Sequence, residues 1–220
     1  MPPIRYTFFD AAGTLLWKPA LYPTIQGVLA RHGAEVERER IAERHRLVSE
    51  IVVAPDRTSP AFYDEFNRTF VRAVGVLPTP ALLDELYAAC RGLPWAAYDD
   101  VTVLRRLTQP LGVIANWDTR LTEHLSRLVG IEFFRVLGSE EHGVRKPDAA
   151  LYETAVAGLG CAAAEVAYVG DSLRLDVEPA LAVGMTVVLL DRLDLYPSYT
   201  GLRARDLDGA VQALEGVSGR

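Results

Sequence analysis

Tyr6-Thr7-Phe8-Phe9-Asp10-Ala11-Ala12-Gly13-Thr14-Leu15 is the stretch on which the reading of the fold turns. Its first four residues favour β structure, and turn-forming residues follow at once. This is the pattern of a buried strand that delivers a carboxylate to its carboxyl end. Working outward, four more short apolar runs repeat the pattern. They are Leu111 to Ala115 before Asn116, Arg135 to Leu137 before Gly138, Glu165 to Val169 before Gly170, and Thr186 to Leu190 before Asp191. Between them, apolar residues recur at helical spacing. Val101, Leu104 and Leu107 share one face, as do Leu121, Leu125 and Leu128, and also Leu151, Ala155 and Leu159. Strands alternating with helices predict an α/β fold, a parallel sheet with helices on both faces.

Residues 17–95 differ. They show no strong strand signal and are charged and helical, as in Glu35 to Glu50. Pro55 to Pro60 breaks the pattern. Phe62, Phe66 and Phe70 then recur at helical spacing, and Pro78 and Pro80 break it again before Ala81 to Arg91. The expectation is a core of 1–16 and 96–220 with an all-helical domain, 17–95, inserted after the first strand. The tail, Gly216 to Arg220, is expected to fray.

The chain has 220 residues, 50% hydrophobic and 24% charged, which excludes disorder and allows a sizeable core. Its net charge is -6 with no long basic run, so nucleic acid and anionic membranes are not expected partners. A phosphate-bearing small molecule is still open, because a local site can be positive inside an acidic protein. Cys90 and Cys161 stand far apart without metal-ligand spacing, which suits a reducing compartment. The first residues lack a signal-peptide pattern, and no apolar run is long enough to span a bilayer. The expected location is cytoplasmic.

Ligands of an open α/β sheet bind at the carboxyl ends of its strands. Three inferred strands end in polar turns there: Asp10 to Leu15, Asn116-Trp117-Asp118-Thr119, and Gly170-Asp171-Ser172 with Asp176 one helical turn on. Arg145-Lys146-Pro147-Asp148 precedes the last of these strands. A strand-end carboxylate can act as a nucleophile. Converging carboxylates repel unless a hard cation lies between them, and an all-oxygen set favours Mg²⁺. A nearby lysine can neutralise a transferring phosphoryl group, and the backbone at Gly13 can approach phosphate oxygens closely. Each residue also has a plain structural reading: Asp10 as a turn cap, Asp171 and Asp176 as helix-start acids, Lys146 as a surface lysine, and Asn116 as a turn residue.

Taken in order, Asp10-x-x-Gly13-Thr14-Leu15, Asn116, Lys146-Pro147-Asp148 and Gly170-Asp171-Ser172-x-x-x-Asp176 resemble the haloacid dehalogenase (HAD) superfamily over the whole chain. The helical insertion sits where that family places its C1-type cap. The layout is most similar to the subgroup that resembles haloacid dehalogenase domain-containing protein 3. The resemblance implies a Rossmann-like core under a helical cap. It also implies a Mg²⁺-dependent phosphatase acting on a small phosphorylated metabolite. Asp10 would be the nucleophile that forms an aspartyl-phosphate. Asp10, the Ala12 carbonyl and Asp171 would bind Mg²⁺, with Asp176 acting through water or from behind. Lys146 would stabilise Asp10 and the phosphoryl oxygens, and Gly13, Thr14, Asn116 and Trp117 would contact the substrate.

Two positions depart from the family's phosphatases. Ala12 stands where they usually carry a second Asp, the general acid and base. Ala115 stands where they usually carry Ser or Thr before the Asn. Such acid–base help is typically worth roughly 10²- to 10⁴-fold. The departures leave three options: a good leaving group, an acid supplied from elsewhere, or an attenuated or lost phosphatase, a non-catalytic member whose cleft binds a ligand or partner. The family's metal-independent 2-haloacid dehalogenases also lack the second Asp. They usually carry Ser-Asn where this chain has Gly170-Asp171. Trp17, Trp95 and Trp117 flank the expected cleft, and His32, His45, His124 and His142 show no ligand spacing.

Overall fold

The computed structural model describes residues 2–52 and 60–218. Of the expected break at 55–60, all but Pro60, the first residue of the third helix, lies outside them, as do the last two residues of the tail. In chain order the strands and α-helices are β1 (Tyr6–Phe9), β2 (Leu16–Trp17), α1 (Leu21–Arg31), α2 (Arg38–Ile51), α3 (Pro60–Ala73), α4 (Pro80–Cys90), β3 (Ala96–Ala97) and β4 (Leu111–Ala115). Then come α5 (Leu121–Leu128), β5 (Arg135–Gly138), α6 (Ser139–His142), α7 (Ala149–Val156), β6 (Val166–Gly170), α8 (Glu178–Val183), β7 (Thr186–Leu190), β8 (Leu202–Ala204) and α9 (Leu207–Ser218). The chain forms two compact units, Met1–Trp17 with Ala97–Arg220, and Lys18–Ala96.

The first unit is a Rossmann-like α/β core. Six strands pair in the order β5-β4-β1-β6-β7-β8, and every neighbouring pair runs parallel. Phe9 of β1 lies opposite Val113 on one side and Val169 on the other. Residues β4 and β6 are buried along their whole length, which is why they read as unbroken apolar runs. Gly112 in β4 serves the packing of Phe8: a Cβ there would lie 2.4 Å from the Phe8 ring. The chain leaves β1 for β4 and β5, then crosses to β6 on the other side of β1. The strand order therefore reverses beside β1, where open α/β sheets open a crevice for ligands.

Three details differ from the sequence reading. The strand β8 was not expected; it is three residues long at the sheet edge and has no apolar run of its own. Leu107 lies just past a 3₁₀ helix over Asp99–Arg106, and Leu159 lies past the end of α7, though still in the core. α4 begins at Pro80, one residue before the expected Ala81, with Thr79 Oγ1 accepting from the Leu82 N–H at 3.3 Å.

Among the described residues the second unit is built from α1 to α4, around its own core of Ile25, Leu29, Ile41, Phe70, Leu82 and Leu86, and ends at Ala96 of β3. The stripe Phe62, Phe66, Phe70 on α3 faces that core. Among the described residues, no helix is long and apolar enough to cross a membrane. Both cysteines are free thiols.

Candidate active site

Asp10 is the residue that follows β1, and its N–H donates to the Val169 carbonyl at 2.9 Å. That bond carries the β1–β6 ladder one residue further and fixes where the side chain starts. The loop beyond closes on itself: the Ala11 carbonyl accepts from the N–H groups of both Leu15 and Leu16, and Gly13 N–H donates to Leu16 O. Those bonds leave the Ala12 carbonyl out, and Ala12 itself is exposed. Gly13 has φ +93°, and a Cβ there would stand 2.1 Å from Asp171 Oδ2, so only glycine lets this loop pass Asp171.

Lys146 comes from the loop between α6 and α7 and is buried to 3% exposure. Its ammonium has three protons and meets three acceptors: Asp10 Oδ1 at 2.5 Å, Asp176 Oδ1 at 2.6 Å and the Tyr168 hydroxyl oxygen at 3.2 Å. Tyr168, on β6, has its hydroxyl 2.9 Å from Asp176 Oδ1 and 3.2 Å from the Ile114 carbonyl, either of which can take its proton. Tyr152 packs edge-on against Tyr168 and donates to Leu175 O at 2.5 Å.

Asp176 sits on a π-helical turn, Leu173–Val177, opened by Ser172, whose Oγ accepts from Leu175 N–H. Such wide turns re-aim a side chain. Here the turn brings Asp176 back over Gly170, where a Cβ would lie 2.4 Å from the carboxyl carbon. Ser172 N–H donates to Asp176 Oδ2 at 3.0 Å, so both carboxylate oxygens are engaged. One carboxylate oxygen each from Asp10, Asp171 and Asp176 lies within 4.8 Å of the others. The cluster can hold a metal ion. The hard oxygen donors and the half-buried Asp171 beside the Ala12 loop fit a hard divalent cation.

Burial pushes the Asp10 carboxyl up to about 7. Lys146 pulls it down, and Asp176 and Asp171 add to the rise. Burial also works against the Lys146 charge, but Asp10 and Asp176 outweigh it and hold the amine above its ordinary range. The proton therefore stays on the lysine, and the lysine favours an ionised Asp10.

The remaining expected residues fall elsewhere. Asn116 follows β4, but its amide is turned to the main chain of Lys146: Oδ1 accepts from the Lys146 N–H at 2.8 Å and Nδ2 donates to its carbonyl at 2.9 Å. It braces the lysine rather than reaching for a substrate. Thr14 is fully buried; its Oγ1 meets no partner among the described residues, and its carbonyl accepts from Arg192 at 3.1 Å. Complete burial takes it out of substrate reach. Trp117 is half-buried against His124, with its N–H donating to Ser139 Oγ. Ala115 is buried in β4. Trp17 stacks on Tyr98 at 5.2 Å, and Trp95 lies under the Lys18 ammonium at 5.0 Å.

Tyr168 and Tyr152 were missed from the sequence. The available signal was a tyrosine inside the fully buried run Val166–Gly170, whose hydroxyl must find a partner there.

Comparison with known proteins identifies the family. The profile of the haloacid dehalogenase-like hydrolases matches residues 4–184. The haloacid dehalogenase-like hydrolase domain-containing protein 3 of Danio rerio is 32% identical over 212 residues, 87% of each chain. A glyceraldehyde 3-phosphate phosphatase of Methanopyrus kandleri is 31% identical over 159 residues, 68% of this chain and 66% of its own length. Among solved structures, a magnesium-bound HAD hydrolase of Bacillus subtilis superposes with a TM-score of 0.64 at 16% identity, covering 97% of this chain and 99% of that one. At that identity the likeness concerns the fold alone.

Proposed function

The chain belongs to the haloacid dehalogenase-like hydrolases, and from that premise we propose that it is a Mg²⁺-dependent phosphatase of small phosphomonoesters. One observation carries the reading: the buried carboxylate of Asp10, at the strand-order reversal, is held at 2.5 Å by a buried lysine and grouped with two more carboxylates. An isolated structural Asp does not need that company.

Asp10 attacks phosphorus, the P–O bond to the alcohol breaks, and an aspartyl-phosphate forms on its carboxylate. Lys146 favours the ionised form of Asp10 and brings positive charge to the phosphoryl group. Asp176, Tyr168 and Asn116 hold Lys146 in place from three directions. Water then attacks the acyl phosphate and regenerates Asp10. Asp10, Asp171 and the Ala12 carbonyl would hold Mg²⁺, with Asp176 behind them, and the ion supplies charge neutralisation at the phosphoryl oxygens. The helical unit, Lys18–Ala96, is proposed as the cap. A small phosphorylated metabolite in the cytoplasm, with neither nucleic acid nor membrane as partner, completes the reading.

Ala12 makes the leaving group decisive, since no carboxyl stands there to protonate it. The test is a screen of phosphorylated metabolites and of p-nitrophenyl phosphate, with and without Mg²⁺, on the wild-type chain and Asp10→Asn. Mg²⁺-dependent turnover that vanishes in Asp10→Asn is expected. Release of halide from 2-haloacids without metal would overturn the reading in favour of a dehalogenase.

A further inference from the structure

We propose that Arg192 is a positioning residue for the loop after Asp10, setting where Ala12 and Gly13 stand against Asp171. The proposal deepens the phosphatase reading and rests on it for the effect on rate. The contacts that place the loop hold without it.

The loop is closed from within by the Ala11 carbonyl, which accepts from Leu15 and Leu16. Its far side, Thr14 and Leu15, is fully buried, so the two carbonyls there need donors. Both donors come from distant parts of the α/β unit. The Thr14 carbonyl accepts from Arg192 Nη2 at 3.1 Å, and the Leu15 carbonyl accepts from the Tyr98 N–H at 3.0 Å. Arg192 lies just past the end of β7.

The guanidinium is itself held, which makes it a fixed point for the loop. Asp100 takes it as a fork: Oδ2 accepts from Nη1 at 2.8 Å and Oδ1 from Nη2 at 3.0 Å. The Leu207 N–H donates to Asp100 Oδ2 at 2.9 Å and fixes that carboxylate in turn. The Tyr98 ring lies 3.8 Å from the guanidinium carbon and stacks on Trp17. Arg192 and Asp100 keep 18% and 24% of their side-chain surface exposed, so little water competes for the pair. A planar fork can serve a carboxylate, a carbonyl and a ring face together; an ammonium has no such plane. The clearance at Gly13 makes this placement matter. A Cβ there would stand 2.1 Å from Asp171 Oδ2, so a shift at Thr14 changes how Gly13 and the Ala12 carbonyl meet Asp171. Asp10 is held separately, by the β1–β6 ladder and Lys146.

The test compares Arg192→Met with Arg106→Met in the full-length chain. Arg106 pairs with Asp208 and Glu215 of α9 and serves as the control for losing an ion pair in the same unit. In Arg192→Met, amide hydrogen exchange at Gly13, Leu15 and Leu16 should quicken at least about tenfold, while β4 and β6 amides keep their wild-type rates. At saturating Mg²⁺, kcat for p-nitrophenyl phosphate should fall about 10- to 100-fold, with KM moving less than about threefold. Arg106→Met should change neither reading. Unchanged exchange in the loop overturns the proposal. So does exchange that quickens equally in β4 and β6, which would make Arg192 a support of the whole unit. A wild-type kcat in Arg192→Met, or a rise in KM alone, overturns it as well. A wild-type chain that turns over no phosphomonoester removes the phosphatase reading, and the exchange rates still decide whether Arg192 places the loop. Arg192→Lys keeps the charge and loses the fork, so it covers a methionine variant that fails to fold. It should show the same changes in smaller degree; wild-type exchange and kcat there would overturn the proposal.

Discussion

Ala12 is exposed in a loop whose closing bonds pass it by, so a larger side chain at this position meets no buried neighbour. Ala12→Asp should therefore fold and should supply the missing proton donor and water activator. Turnover of alkyl phosphates should rise more than turnover of aryl phosphates, within the roughly 10²- to 10⁴-fold range of one acid–base group. The two substrate classes, measured on both variants at saturating Mg²⁺, decide it; equal or lower alkyl activity would mean that another residue already acts as the acid. Tyr168 supports a second prediction. Tyr168→Phe leaves one ammonium proton of Lys146 without an acceptor in a buried site, at a cost of about 1–3 kcal/mol. Thermal unfolding should show that loss, and kcat should fall while Mg²⁺ affinity holds. An unchanged melting temperature would mean that water takes the place of the hydroxyl.

Among the elements, α2 has a pH dependence built into it. His45 packs edge-on against Tyr22, Phe66 and Phe70, with ring centroids 5.0–5.7 Å away. Burial lowers its pKa to about 4, with Arg46 and Lys18 adding to the fall. The unfolded chain, with an ordinary value of 6.5, binds the proton first as the pH drops. The stability of the helical unit should therefore be intact above about 6.5 and decline toward 4, by at most about 3 kcal/mol and less for the solvent the ring still meets. Urea unfolding of His45→Gln from pH 7 to 4 should show a flatter profile; an identical slope would place the titration elsewhere. The same elements show what a sequence can carry. The buried strands were legible because burial on both faces leaves an unbroken apolar run, as in Val166–Gly170. The edge strand Leu202–Ala204 was not, because it is held by pairing with β7 and by the Arg203–Asp191 ion pair rather than by its own composition. Asp10, Lys146, Asp171 and Asp176 were legible through their order and spacing. The turning of Asn116 onto the Lys146 main chain was not, since it depends on a contact thirty residues away.

For the molecule as a whole, ligation and folding are linked. Three carboxylates brought together by three different elements repel one another, and a cation that binds only the folded chain must stabilise it. At about 100 times its dissociation constant, Mg²⁺ should add about 2.7 kcal/mol and raise the melting temperature of the α/β unit by roughly 5–10 °C. Asp171→Asn should abolish that rise; calorimetry that finds no Mg²⁺ effect at millimolar concentration removes the metal assignment. The chain has two lysines, Lys18 and Lys146. Lys146 spends all three ammonium protons on internal acceptors and keeps 3% of its surface in water. An amine-selective acylating reagent can reach it only when the α/β unit opens. Mass spectrometry of the peptide that carries it then becomes a clock for that opening: acylation of Lys18 dates the encounter with reagent, and acylation of Lys146 dates the unfolding.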